Sequence, residues 1–269
     1  MGAAMPAFDP SDPFAAPLTL LGALPWRDAL ALALFALMWF AYEPVLRRAG
    51  RGHGVINRDM EVVRSGWMRA MMRRSETRLL DANLMGHALN SASFFASANL
   101  ILIAGLSGAL FGGDRVWRGV RSLEVVPETA SWLFQLKLAL VLATLARGLL
   151  DFIWSIRQMN FWLAAVGAAP ETAEPALQAR WVQALGDIIN PALTHFAAGV
   201  RAYYFALASA LWLLGPVAFA LATVAATALL VWRQSQSRAS RGVRRVRELL
   251  DEEGRAAEPG AAPSSPETL

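Results

Sequence analysis

Apolar blocks of bilayer length recur along this chain with arginine-rich stretches between them, and no other feature limits its folding so strongly. A hydrocarbon core of about 30 Å takes roughly 20 apolar helical residues to cross. The first such block, DALALALFALMWFAYEPVL, opens at Trp26 and Arg27, runs without charge from Ala29 to Tyr42, and closes at Glu43 and Pro44. Composition agrees with a membrane chain: 55% of residues are hydrophobic, mean hydropathy is +0.37, and only 17% are charged, against about 25% in ordinary soluble domains. The expected fold class is therefore all-α, a polytopic transmembrane helical bundle.

Five spans are expected, over about residues 28–46, 84–111, 132–154, 196–214 and 216–232. The second is apolar mainly from Phe94 onward and ends among Gly105, Gly108, Gly112 and Gly113. The third lies between Trp132 and Trp154, which at 1.5 Å per residue are roughly 33 Å apart, the spacing of two interfacial belts. Its helix can continue to the break at Ala168-Ala169-Pro170. The last block, His195 to Trp232, is nearly two spans long and is cut at Leu214-Gly215-Pro216. It reads as one kinked helix, giving four spans, or as a tight hairpin, giving five.

Charge distribution favours five, because positive loops stay on the cytoplasmic side. Nine arginines, from Arg47 to Arg78, lie between spans one and two, and six, from Arg233 to Arg247, follow the last block. Five spans put both clusters in the cytoplasm of an inner (plasma) membrane protein with its amino terminus outside. Residues 1–25 carry Asp9 and Asp12 and no base, and read as a disordered, non-cytoplasmic lead-in. Residues 26–238 form the membrane domain, and residues 239–269 a basic and then disordered cytoplasmic tail.

Residues 55–82 place Met60, Val63, Trp67, Met71 and Leu79 near one helical face and Arg58, Arg69, Arg73 and Arg74 nearer another, so a basic amphipathic cytoplasmic helix is expected. Such a helix suits anionic lipid head groups or a partner protein, or simply packs under the bundle. The tail from Arg233 to Leu250 reads similarly. No recognition fold accompanies either cluster, so nucleic acid is not an expected partner.

Within the spans, charged groups are the candidates for function. Arg147 and Asp151 are four residues apart on one helical face and, with Arg201, read as the polar lining of an ion or solute path or as an interhelical clamp. Lys137, the chain's single lysine, lies five residues past Trp132 and is expected to snorkel outward. Asn90, among Asn83, Ser91, Ser93, Ser97 and Asn99, gives span two a polar flank suited to helix-to-helix hydrogen bonds or a pore wall. His87 and His195 are expected at caps or interfaces. With no cysteine and none of the common catalytic or nucleotide-binding motifs, neither enzyme activity, cofactor nor metal is expected.

Several ordered strings, RSGWMR (64–69), SFFASA (93–98), WSIRQMNF (154–161), GAAP (167–170) and RAYYFALA (201–208), together resemble the domain-of-unknown-function 599 family of bacterial and plant membrane proteins. The resemblance covers roughly Trp26 to Arg238 and implies a multispanning inner-membrane protein without implying a substrate. Within those strings Trp67, Arg69, Trp154, Arg157, Asn160, Arg201, Tyr203 and Tyr204 are expected near the inner leaflet, as interface anchors, a head-group site or an inner gate. The leading functional expectation is a non-enzymatic lipid- or partner-binding organising factor; the alternative is a small oligomeric channel or transporter.

Overall fold

The computed structural model describes residues 24–49, 56–74, 78–121, 129–171 and 174–256, and among them the chain is helical throughout, with no strand. The helices are α1 (Trp26–Ala49), α2 (Ile56–Arg73), α3 (Arg78–Phe111), α4 (Gly113–Arg121), α5 (Ser131–Ala168), α6 (Pro175–Ala210), α7 (Pro216–Ser235) and α8 (Arg238–Ala256), with a 3-10 turn, Leu211–Leu214, before α7. Three stretches among the described residues are long and apolar enough to cross a membrane: Leu79–Phe111, Pro175–Leu214 and Pro216–Arg255.

Local chemistry sets these boundaries. Pro175 and Pro216 each open a helix, where a missing N–H costs nothing and the fixed φ suits the first turn. Pro170 follows the end of α5 and biases its predecessor away from helical geometry. The acids Asp28, Asp59 and Asp81 lie in the first turns of α1, α2 and α3, where the helix dipole favours negative charge. Gly215 has φ +123° and ψ 165°, a region essentially closed to residues with a Cβ.

The helical run is interrupted at that glycine. Phe205 on α6 and Phe219 on α7 both pack against Phe35, with ring centroids 5.6 Å and 5.2 Å away.

Several expected boundaries move. The helix expected over 55–82 ends at Arg73, and Leu79, expected on its apolar face, belongs to α3 and is 84% exposed. The span expected to start at 196 is the second half of a helix that begins at Pro175 and contains Pro191. The tail helix is separate from the last apolar helix, with a turn after Ser235. Most of the expected lead-in and the end of the tail lie outside the described residues.

The chain divides into two compact units. One comprises Met1–Tyr42, Leu102–Ala146 and Ala202–Thr227. Its core is aromatic, with Phe35, Trp39, Phe205, Phe219 and Trp212 in successive ring contact, beside a cluster of Val141, Leu145 and Ala206 that Tyr203 flanks. The other comprises Glu43–Ile101, Arg147–Arg201 and Ala228–Leu269. Its core gathers Met68, Met71 and Met72 of α2, Met85 of α3, Met159 and Trp162 of α5, and Leu185 and Ile189 of α6; flexible thioethers fill irregular gaps among such helices.

Candidate functional sites: buried charges and a pair of basic helices

Every first-turn acid named above is buried and tied to a distant residue. In the first unit, Asp28 accepts a hydrogen bond from Trp212 Nε1 at 2.7 Å and has Lys137 Nζ at 3.9 Å. Lys137 is only 3% exposed and also lies 5.8 Å from the Trp212 ring centroid. The expectation that Lys137 snorkels outward is thus corrected. Its ammonium stays inside because a carboxylate and an aromatic face stand in for water.

In the second unit, Asp59 is 1% exposed and accepts from Arg247 Nη1 of α8 at 2.7 Å. Asp81 accepts from Trp67 Nε1 at 2.7 Å, with Arg74 at 3.7 Å. The Trp67 ring also packs on Trp162 at 5.3 Å, so this tryptophan joins α2 to both α3 and α5. Arg64 of α2 is buried and donates to the side-chain oxygen of Asn190 on α6. Burial pulls its guanidinium pKa down, with Glu61 pulling the other way. The hydrogen bond from Arg247 to Asp59 raises the pKa of the Arg247 guanidinium.

Helices α2 and α8 pack side by side. Besides the Arg247–Asp59 pair, a Cβ on Gly66 would come within 2.9 Å of Leu250, so the glycine admits the neighbouring leucine. This pairing turns Arg58, Arg69 and Arg73 of α2 and Arg241 and Arg245 of α8 to the exterior. Two basic elements that the sequence offers separately form one body.

The candidate polar residues of α5 and α6 resolve into two groups, both in the second unit. Asp151 is 3% exposed, and its Oδ1 faces Arg147 at 3.4 Å and His195 Nδ1 at 2.9 Å. The expectation of a cap or interface role for His195 omitted this bond; an imidazole 44 residues away is invisible to a local reading. Arg201 is engaged by Glu43 at 2.9 Å, the acid that closes the first apolar block. Asn90 lies exposed on α3.

Of the motif residues, Trp67, Arg69, Trp154, Arg157, Asn160 and Arg201 fall in the second unit and Tyr203 and Tyr204 in the first. Arg157 lies 6.0 Å from the Trp154 ring centroid and 5.6 Å from that of Phe161. Asn160 donates to its own helix at Ile156 O, and Trp154 meets His195 edge-on at 6.5 Å. No cluster of three or more His, Asp or Glu placed to hold a metal occurs among the described residues.

Three helical stretches long and apolar enough to cross a membrane point to a membrane protein. The chain belongs to the family described as protein of unknown function, DUF599, whose model matches residues 30–239. No curated protein and no solved structure matches it.

Proposed function

We propose that this protein is a multi-pass inner-membrane protein that organises anionic lipid or partner proteins at its cytoplasmic face and has no catalytic activity of its own. The observation that carries this reading is the α2–α8 pair, held by Arg247–Asp59, with Arg58, Arg69, Arg73, Arg241 and Arg245 outward. Each arginine near an anionic surface contributes about 1 kcal/mol of attraction, and fixing two helices together spares part of the entropy of assembling the patch.

The same contact supports five spans. Because α2 follows the first span and α8 follows the last, their packing requires both on one side of the membrane, and an even number of crossings must intervene. Four crossings, with α6 and α7 as separate spans on either side of the break at Gly215, meet that condition; three, with α6 and α7 as one kinked span, do not. The positive-inside rule puts that side in the cytoplasm, with the amino terminus outside. A carboxyl-terminal tag labelled by an impermeant reagent in intact cells refutes this topology.

The test of lipid organisation is native mass spectrometry from mild detergent. Wild type is expected to retain phosphatidylglycerol in preference to phosphatidylcholine, and the Arg241→Glu, Arg245→Glu pair to lose that preference. Equal retention by the two proteins rejects the reading.

A second reading, a small channel or transporter, rests on the Asp151 carboxylate, buried yet flanked by a half-exposed Arg147 and by His195. It requires ion or solute flux in liposomes that falls on Asp151→Asn or Arg147→Gln. Flux indifferent to both substitutions rejects it.

A further inference from the structure

The described part of α3 is covered by little of the chain. Along it Asn83, His87, Asn90, Phe94, Ser97 and Ile101 are all exposed, and their spacing alternates four, three, four, three, four. That is the 3.5-residue repeat by which two helices pack along a common seam. All six lie in the second compact unit. The seam divides into two rows of seven-residue period: Asn83, Asn90 and Ser97 in one, His87, Phe94 and Ile101 in the other.

Neither lipid nor water suits this face. Phe94 and Ile101, 69% and 73% exposed, are unfavourable in water, while amide side chains in the same stripe lose hydrogen bonds in hydrocarbon. A protein face that offers apolar groups and hydrogen bonds in the same alternation satisfies both rows. We propose that the occupant is α3 of a second copy of this chain, in a symmetric parallel pair.

Two arguments select a second copy over another protein. All copies share one insertion direction, so a twofold axis along the membrane normal brings the two α3 helices together parallel and in register. Each residue then meets its own counterpart, and the polar row is made of side chains that complement themselves: an Asn amide donates to and accepts from another Asn amide, and a Ser hydroxyl does the same. An Asn at a seam position fixes register and partner number in coiled coils in this way. In membranes such interhelical hydrogen bonds and small residues such as Ser97 hold helices together. This proposal is independent of the lipid reading, which concerns α2 and α8.

Because the chain contains no cysteine, one introduced cysteine reports on one position. Asn90→Cys and Ser97→Cys are oxidised with copper phenanthroline in native membranes, beside Leu100→Cys. Leu100 is 57% exposed but lies about 100° around the helix from the seam. The expected result is a disulfide-linked species of twice the chain mass from the first two and none from the third, with its subunits identified by mass spectrometry. No cross-link at either seam position, equal cross-linking at all three, or a linked species containing another protein overturns the proposal. As a measurement free of substitutions, native mass spectrometry of wild type is expected to give a dimer; an exclusively monomeric protein, from both mild detergent and nanodiscs, overturns it as well.

Discussion

Replacing Gly199 by alanine tests whether the aromatic packing of the second unit is rigid. A Cβ at 199 would fall 2.7–2.8 Å from Cε1, Cδ1 and Cζ of Phe152, well inside van der Waals contact. The ring has nowhere to retreat, because it is fully buried, Phe95 stacks on it at 5.8 Å and 9°, and Phe196 meets it at 5.9 Å. Overpacking of this kind costs about 1–3 kcal/mol, while Gly to Ala inside a helix returns up to about 1 kcal/mol. The collision wins, so Gly199→Ala is expected to destabilise by about 1–2 kcal/mol, or roughly 3–6 °C in Tm for a chain of this size. The assay is thermal unfolding in mild detergent, repeated in a Phe152→Leu background. There the clash is gone, and Gly199→Ala is expected to be neutral or stabilising. The same effect in both backgrounds, or a raised Tm with Phe152 in place, refutes the reasoning.

Three further outcomes are expected. Asp59→Ala removes a charged hydrogen bond to Arg247, at a cost of about 1.5–3 kcal/mol, and trypsin is expected to cut α8 at Arg241, Arg244 and Arg245 faster; unchanged cleavage would show that α8 is held by other contacts. Asp28→Asn leaves the Lys137 ammonium buried without its carboxylate, so it is expected to lower Tm more than Asp28→Asn combined with Lys137→Met, the reverse order arguing against a paired lysine. Because burial lowers the Arg64 pKa, the folded state disfavours the charged form, and this penalty is present at every pH below the folded value. Arg64→Met with Asn190→Leu is therefore expected to stabilise by about 1–2 kcal/mol, unchanged between about pH 6 and 8, and a lower Tm contradicts the sign.

What the sequence made legible was local. The Leu214-Gly215-Pro216 break, the end of α5 before Pro170 and the Arg147–Asp151 spacing are all properties of a few consecutive residues, and the structure places each where its local chemistry requires. Residues 55–82 were harder, since apolar residues continue past the gap after Arg74, and Leu79, eight residues beyond Met71, still falls on the same broad face although it sits on another helix. A broad apolar face does not report a break that falls within it. The outward snorkelling expected of Lys137 failed for a different reason. Whether a lysine five residues into a span points out or in depends on what stands opposite, here Asp28 and Trp212, and that is fixed by the register between helices, which one sequence does not state.

The first-turn acids show where local and long-range readings meet. Asp28, Asp59 and Asp81 look in sequence like ordinary dipole partners of α1, α2 and α3, a role worth only about 0.3–1 kcal/mol at an exposed helix end. Burial changes that balance, because a desolvated carboxylate needs more than one favourable neighbour. Each of the three has two: the start of its own helix, and a donor at 2.7 Å from Trp212, Arg247 or Trp67. The local role therefore explains why an acid stands at these positions, and the distant donor explains why the acid can be buried. An acid that serves both needs ties the beginning of its helix to a segment that comes much later in the chain for Asp28 and Asp59, and to the preceding helix for Asp81. Of these ties, Arg247–Asp59 joins the two arginine-rich helices into a single surface, so the feature from which function is proposed depends on a carboxylate whose partner lies 188 residues away.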